Sequence, residues 1–225
     1  EKAVKDLEKK LKEEESRKKE AKKRIMKVVK REWYESFRWF FTSTGMLVIG
    51  GRDAHQNELL NSRHFSDKDL FFHADIFGAP VTILKDGADS AREVKEEVAQ
   101  FAASYSSAWE EMLRSIDVYA MRREQVSKSS EKGSLGTGSF LLKGERDWYR
   151  NVELSLVMFV KEERLNTAPM TTFHKMQEKG KHVVLSQGNL KKSDAGKKIA
   201  AYLGVDDLDN VIRQLPTGSF TLKMQ

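Results

Sequence analysis

Residues 50–65, GGRDAHQNELLNSRHF, gather Arg52, Asp53, His55, Gln56, Asn57, Arg63 and His64 just past the apolar run 46–49. Such a density of hydrogen-bonding side chains suits an acid–base or metal cluster, a surface that reads phosphate or nucleic acid, or a capped helix. Metal chemistry needs convergent ligands, usually histidine with a carboxylate. His55, His64 and His73 precede Asp75, but there is no HExxH and no cysteine, so no zinc spacing is met. A hydrolase built on these histidines is therefore the weakest class, and a histidine hydrogen-bonded near the core is the ordinary alternative. No nucleophile elbow or ordered Ser-His-Asp set is present, and neither a catalytic residue nor a cofactor is assigned.

A surface that reads phosphate or nucleic acid is compatible with the same residue types. Arg52 can fork onto a phosphate or stack on a base. Gln56 and Asn57 offer amides to a base edge or a ribose hydroxyl. Arg63 adds charge, and His73 on a neighbouring strand is placed to line the same surface. Gly50 and Gly51 allow close backbone approach, and Asp53 caps the helix that follows. The competing reading makes Gly50, Gly51, Asp53 and Asn57 a structural junction, with Arg52 paired to a carboxylate. Two further stretches carry a weaker signal. GSLGTG at 133–138 is neither a Walker loop nor a dinucleotide fingerprint. SDAGKK at 193–198 opens a helix with Ser193 or Asp194 as cap, leaving phosphate contact and plain solvent exposure both open. An echo, GTGSFLLK at 136–143 and PTGSFTLK at 216–223, is too short to establish an internal repeat.

The elements that must position these residues follow from pattern. WFFTS and MLVIGG are predicted strands joined at Thr44-Gly45. A helix is predicted over AHQNELLNSR, then strands over DLFFHADIF and APVTILK with a turn at Gly78. The helix predicted over 89–113 carries Val94, Val98, Phe101, Ala102, Tyr105 and Trp109 on one face. DVYAMRREQV, FLLKG and the apolar run VELSLVMFV are predicted strands, with a polar loop over 127–139. Beyond Pro169 the order is helix, strand, helix, a short helix over DLDNVIRQL, and a last strand. Strands with hairpin links and a few helices define an α+β body, mixed α/β in detail, preceded by a long coiled-coil helix.

The charge is uneven. Residues 1–32 carry 14 Lys/Arg against 8 Asp/Glu, a surplus equal to the +6 of the whole 225-residue chain. A basic arm suits an acidic partner such as RNA, or is simply a solvated helix face. Val4, Leu7, Leu11, Glu14, Lys18, Ala21, Ile25 and Val28 alternate by three and four, a heptad seam with a polar middle. Its mate would be an upstream helix or a second copy of the chain. This arm opens directly in charged helix, so the chain is expected to be the C-terminal part of a longer protein. No apolar run approaches the ~20 residues of a membrane span, and the lack of cysteine fits a reducing compartment.

GGRDAHQNELL followed by DLFFHADIFGAPVTILK resembles the RNA-binding NFACT-R domain of the NFACT family. The resemblance rests on Gly51, Arg52, Asp53, Gln56, Asn57 and Glu58, then Asp69, Leu70, Phe72, His73 and Ala74, then Gly78, Ala79 and Pro80. TGSFLLKG with RDWY is similar to a later family stretch. The match runs from residue 33 to about 150, and the charged helix resembles the returning arm of the family's middle coiled coil. It implies three parts: an arm over 1–32, an NFACT-R-like domain over 33–160, and a C-terminal α/β extension over 161–225, typical of archaeal members. It also implies a cytoplasmic ribosome quality-control factor that binds large-subunit RNA and tRNA. Such a factor would support untemplated C-terminal tailing of stalled chains, with bond-making left to the ribosome. The other class of function is a protein-interaction scaffold acting through the arm.

Overall fold

The computed structural model describes residues 12–14, 32–130, 133–134 and 136–225. Of the arm, 12–14 are helical; the heptad seam otherwise lies outside the described residues. The chain divides into two units, Glu1–Glu35 and Ser36–Gln225, and the second carries the sheets.

Its first sheet is six-stranded and wholly antiparallel, in the order β1-β2-β4-β3-β5-β10. The strands are β1 (Arg38–Phe41), β2 (Leu47–Gly50), β3 (Leu70–Ala74), β4 (Thr82–Leu84), β5 (Ser115–Arg122) and β10 (Asp147–Glu153). Two small hairpins intervene: β6 (Val126–Ser127) with β9 (Leu141–Leu142), and β7 (Ser129–Ser130) with β8 (Gly133–Ser134). A second antiparallel sheet runs β12-β11-β13-β14, from β11 (Leu156–Lys161), β12 (Arg164–Pro169), β13 (His182–Leu190) and β14 (Phe220–Met224). The helices are α1 (Ala54–Arg63), α2 (Arg92–Ser104), α3 (Met170–Met176), α4 (Lys192–Leu203) and α5 (Leu208–Gln214). The α+β class holds.

Side chains of the first sheet alternate between two apolar layers, as the period of two requires. Val48, Phe72, Leu84, Val118 and Ala120 join a core that also contains Leu156, Val157, Val183, Leu185 and Phe220 of the second sheet. Ile49, Phe71, Ile83 and Met121 are buried too but lie outside that core, with Leu60 of α1, Phe65 and Val126. Helix α2 packs against both sheets. The expected single apolar face is exceeded: every residue from Glu97 to Ser104 is buried. Ala99, Ala102, Ala103 and Ser104 keep the helix thin enough to be enclosed. Glu97, 0% exposed, is matched by donors from both sides. Ser43 N–H gives 2.8 Å, Ser43 Oγ–H 2.5 Å, Thr172 Oγ1–H 3.0 Å and Lys175 Nζ 3.1 Å. A buried carboxylate is tolerated only when its oxygens are paired in this way.

Three sequence expectations change. The helix predicted to 113 ends at Ser104, where Ser106 Oγ–H donates back to the Ala103 carbonyl at 2.7 Å and competes with the helical pattern. The run VELSLVMFV is not one strand. It turns a corner at Leu154–Ser155, passing from β10 of the first sheet to β11 of the second, and its buried part is Leu154 with Leu156–Phe159. Strand β12 was not expected at all. Its hairpin turns on Glu162 and Glu163, both with positive φ (51° and 61°), where the usual signal would be Asn-Gly.

Candidate nucleic-acid interface

The GGRDAHQN segment folds as a tight strand-to-helix junction. Asp53, in extended conformation, caps α1 by accepting Gln56 N–H at 2.8 Å. The Gln56 side chain reaches back, accepting Arg52 N–H at 3.1 Å and donating to the Ser36 carbonyl at 3.2 Å. Asn57 Oδ1 accepts Val81 N–H at 3.1 Å, and Gly51 N–H donates to the Val81 carbonyl at 2.9 Å. A Cβ on Gly51 would stand 2.0 Å from Asn57 Oδ1, and one on Gly50 would stand 3.1 Å from the Phe101 ring. Both glycines are therefore set by close approach.

Arg52 does not pair with a carboxylate. Its guanidinium donates to three carbonyls: Phe37 at 2.8 Å, Ser36 at 3.2 Å and Arg213 at 2.5 Å. Burial, and then neighbouring Arg38, push its pKa down to about 10. Arg38 donates to the Gly51 carbonyl at 2.8 Å, lies over the Tyr105 ring at 4.7 Å, and keeps a buried Nε with no acceptor. Burial holds its pKa down, with Tyr105 and Asp53 opposing. Lys192 completes a cationic group. It donates to the Leu215 carbonyl at 2.9 Å, and burial, Arg38 and Arg52 push its pKa down to about 8.

His73, Tyr119 and Trp148 form a row across β3, β5 and β10, each directly opposite the next. His73 Nδ1 lies 3.4 Å from the Tyr119 hydroxyl, and its ring is parallel to Phe71 at 6.2 Å. Burial lowers the His73 pKa. Arginines lie over the row: Arg146 is 4.4 Å from the Tyr119 ring and 5.6 Å from Trp148, and Arg150 is 4.0 Å from Trp148. Arg150 also pairs with Asp117 at 2.6 Å. Cations over ring faces in this way are a stabilising contact and a recurrent element of RNA surfaces.

Beside this row is a cleft of about 610 Å³. Arg52, Asp53, Asn57 and His73 all line it. Gln56 does not, being turned into the junction, and Arg63 sits exposed in the last turn of α1, away from the cleft. His55 and His64 are likewise outside its lining, and no group of three potential metal ligands occurs among the described residues. The helix α4 starts at Lys192 without a side-chain cap; within SDAGKK, Ala195 and Gly196 are buried, Gly196 against Ile212, while Ser193, Asp194, Lys197 and Lys198 are exposed.

Residues that the sequence did not single out are Phe77, Arg38 and Tyr119, while Arg146 and Trp148 entered only as part of RDWY, with no role. Phe77 is 98% exposed, on the cleft rim, in the β3–β4 turn. Its carbonyl accepts Ser107 Oγ–H at 2.8 Å, so the ring projects from an anchored backbone. The visible signal was an apolar residue beside a turn glycine; strand pairing, which aligns the row, left none.

Residues 36–144 match the family model for the NFACT protein RNA binding domain. The chain belongs to the NFACT family. It is 40% identical over 206 residues to the archaeal Rqc2 homolog aRqcH of Methanocaldococcus jannaschii, covering 88% of this chain and 30% of that protein. That share cannot be reached without entering the residues after 160. It is 38% identical over 135 residues to the ribosome quality control complex subunit NEMF homolog of Drosophila melanogaster, covering 59% of this chain and 14% of that protein. The human NEMF subunit is 35% identical over 127 residues, 55% of this chain and 12% of that protein. The chain thus spans less than a third of each of these relatives. The C-terminal of a fibronectin/fibrinogen-binding protein from Streptococcus suis superposes with a TM-score of 0.46 at 21% identity, over 56% of this chain and 47% of that one. The NFACT-R match stops at 144, before β10 closes the first sheet.

Proposed function

We propose that this chain is the RNA-contacting part of a ribosome quality-control factor. In this reading it binds large-subunit RNA and tRNA on stalled nascent-chain complexes and supports C-terminal tailing, the peptide bonds being made by the ribosome. The observation that carries it is the arginine-covered row His73–Tyr119–Trp148 beside a cleft whose rim holds an exposed Phe77. The exposed Phe77 ring can accept an unstacked base, and the arginines stacked on the row can meet phosphates, which together suit single-stranded RNA. The match to an RNA-binding domain and the relatives' printed role in ribosome quality control support the same reading.

The test is binding of the chain to tRNA and to purified large ribosomal subunits across a salt series, with and without residues 1–32. Retained affinity in the shortened chain, lost on Trp148→Ala, is expected. Binding that disappears with the arm and follows only a steep salt slope would assign the affinity to generic charge.

A further inference from the structure

The cleft has more internal order than surface contact with RNA requires. Its volume, about 610 Å³, is in the range of small-ligand sites. Its lining includes Arg38 and Arg52; the acids in it are Asp53, which caps α1, and Glu110, which is exposed. Arg38 lines the cleft and makes a single hydrogen bond, to the Gly51 carbonyl. The cleft lining also includes His73, Tyr119 and the exposed Phe77, with Tyr105 under Arg38.

Both copies of the TGS echo come to this cleft. Thr137 and Ser139 line it from one loop and Thr217 from the other. Each loop is pressed against a wall element through its glycine. Gly138 (φ 78°) would place a Cβ 2.9 Å from Ala54 at the start of α1, and Gly218 (φ 116°) would place one 3.1 Å from Glu110 Cα. Lys128 holds the first loop further, bridging Glu58 at 2.5 Å and the Gly136 carbonyl at 2.7 Å. Hydroxyl-bearing side chains on two fixed loops, arginines and aromatic rings lining one cleft are together the complement of a sugar, a phosphate and a base.

We propose that the cleft seats one unstacked nucleotide, its base on Phe77 and the His73–Tyr119 wall and its phosphate toward Arg38. The proposal rests on the RNA-contacting reading for the source of that nucleotide, a residue of single-stranded RNA. A free nucleoside monophosphate has the same chemistry and serves as the probe.

The experiment titrates the full chain with adenosine monophosphate, adenosine and inorganic phosphate by NMR, and with a fluorescent single-stranded oligonucleotide by anisotropy. Phe77→Ala and Phe77→Trp are compared with the wild type, because a ring that is 98% exposed contributes nothing to the core. The monophosphate is expected to shift resonances of Phe77 and His73 and to displace the oligonucleotide, with adenosine and phosphate each weaker by about tenfold or more. Phe77→Ala is expected to weaken oligonucleotide binding about 5- to 150-fold, the range for loss of one stacked base, and Phe77→Trp to restore it. An oligonucleotide that still binds, but is neither displaced by the monophosphate nor affected by Phe77→Ala, overturns the cleft assignment and leaves the outer row as the RNA surface. Monophosphate bound in the cleft with no oligonucleotide binding upholds the nucleotide site and overturns its RNA source. Binding of neither overturns both.

Discussion

The Arg52 guanidinium donates to the carbonyl of Arg213 at 2.5 Å, across 161 residues of chain. That carbonyl is one of the last in α5, where main-chain acceptors have no helical partner. The next two carbonyls are met in the same way, Gln214 by the Tyr105 hydroxyl at 2.6 Å and Leu215 by Lys192 at 2.9 Å. Two cations and a phenol thus cap one helix terminus, whose partial negative charge favours them. Burial, with Arg38 and Arg52 opposing, pushes the Tyr105 pKa up to about 12, so it stays a donor.

Arg52→Ala should therefore act first on stability. Loss of a charged donor to three carbonyls is expected to lower the free energy of unfolding by roughly 1.5–3 kcal/mol, measured by urea denaturation. Arg52→Lys should recover little of it, since an ammonium cannot reproduce the fork. A wild-type midpoint for Arg52→Ala would refute the clamp and return Arg52 to a direct role in RNA contact.

Gly51→Ala should be costly for a different reason. Its Cβ would lie 2.0 Å from Asn57 Oδ1, so the Asn57–Val81 bond has to yield. A loss of roughly 1–3 kcal/mol is expected from the overpacking. Thermal melts should show it, and Gly51→Ala with an unchanged Tm would mean that Asn57 has room to withdraw.

Acid should destabilise the fold in two steps. His64 and His73 both titrate below the ordinary 6.5, because burial disfavours the charged ring. Their contribution is complete above pH 6.5 and is lost as pH falls through the folded values. Asp69 behaves as a second, lower step. Burial alone would raise its pKa, but Lys85 at 2.5 Å and the N–H groups of Asp86 and Ser66 outweigh that and hold it below 3.8. Its contribution is present above pH 3.8 and disappears beneath it. Urea midpoints from pH 8 to 3 should fall twice, and His73→Gln should shrink the upper step only. A midpoint that rises between pH 7 and 5.5 would contradict this.

On the outer row, Arg150→Gln should leave the fold intact, reduce the slope of log affinity against log salt by about one, and weaken tRNA binding evenly across sequences. An unchanged slope would place the phosphates elsewhere.

The cap at Asp53, the helix α1 and the hairpin at Thr44-Gly45 were legible because each depends on neighbours within four residues. The α+β class followed from the same local signals. What was hidden depends on distance or on broken rules. Arg52 finds its acceptors in residues 36, 37 and 213, which no window contains. The Glu162-Glu163 turn lacks the residues that normally announce it. The apolar run at 152–160 looks the same whether it continues straight or turns a corner. His73 was recognised by type, but its alignment with Tyr119 and Trp148 exists only once β3, β5 and β10 pair.

Helix α2, enclosed from Glu97 to Ser104 and in contact with both sheets, has no side on which to loosen alone. Its amides can meet solvent only when the two sheets part. Hydrogen exchange along Glu97–Ala103 should then proceed at the rate of global opening. A protease cut between Leu154 and Leu156 would not release two halves that survive separately. The residues past the NFACT-R match at 144 belong to the same compact unit, Ser36–Gln225.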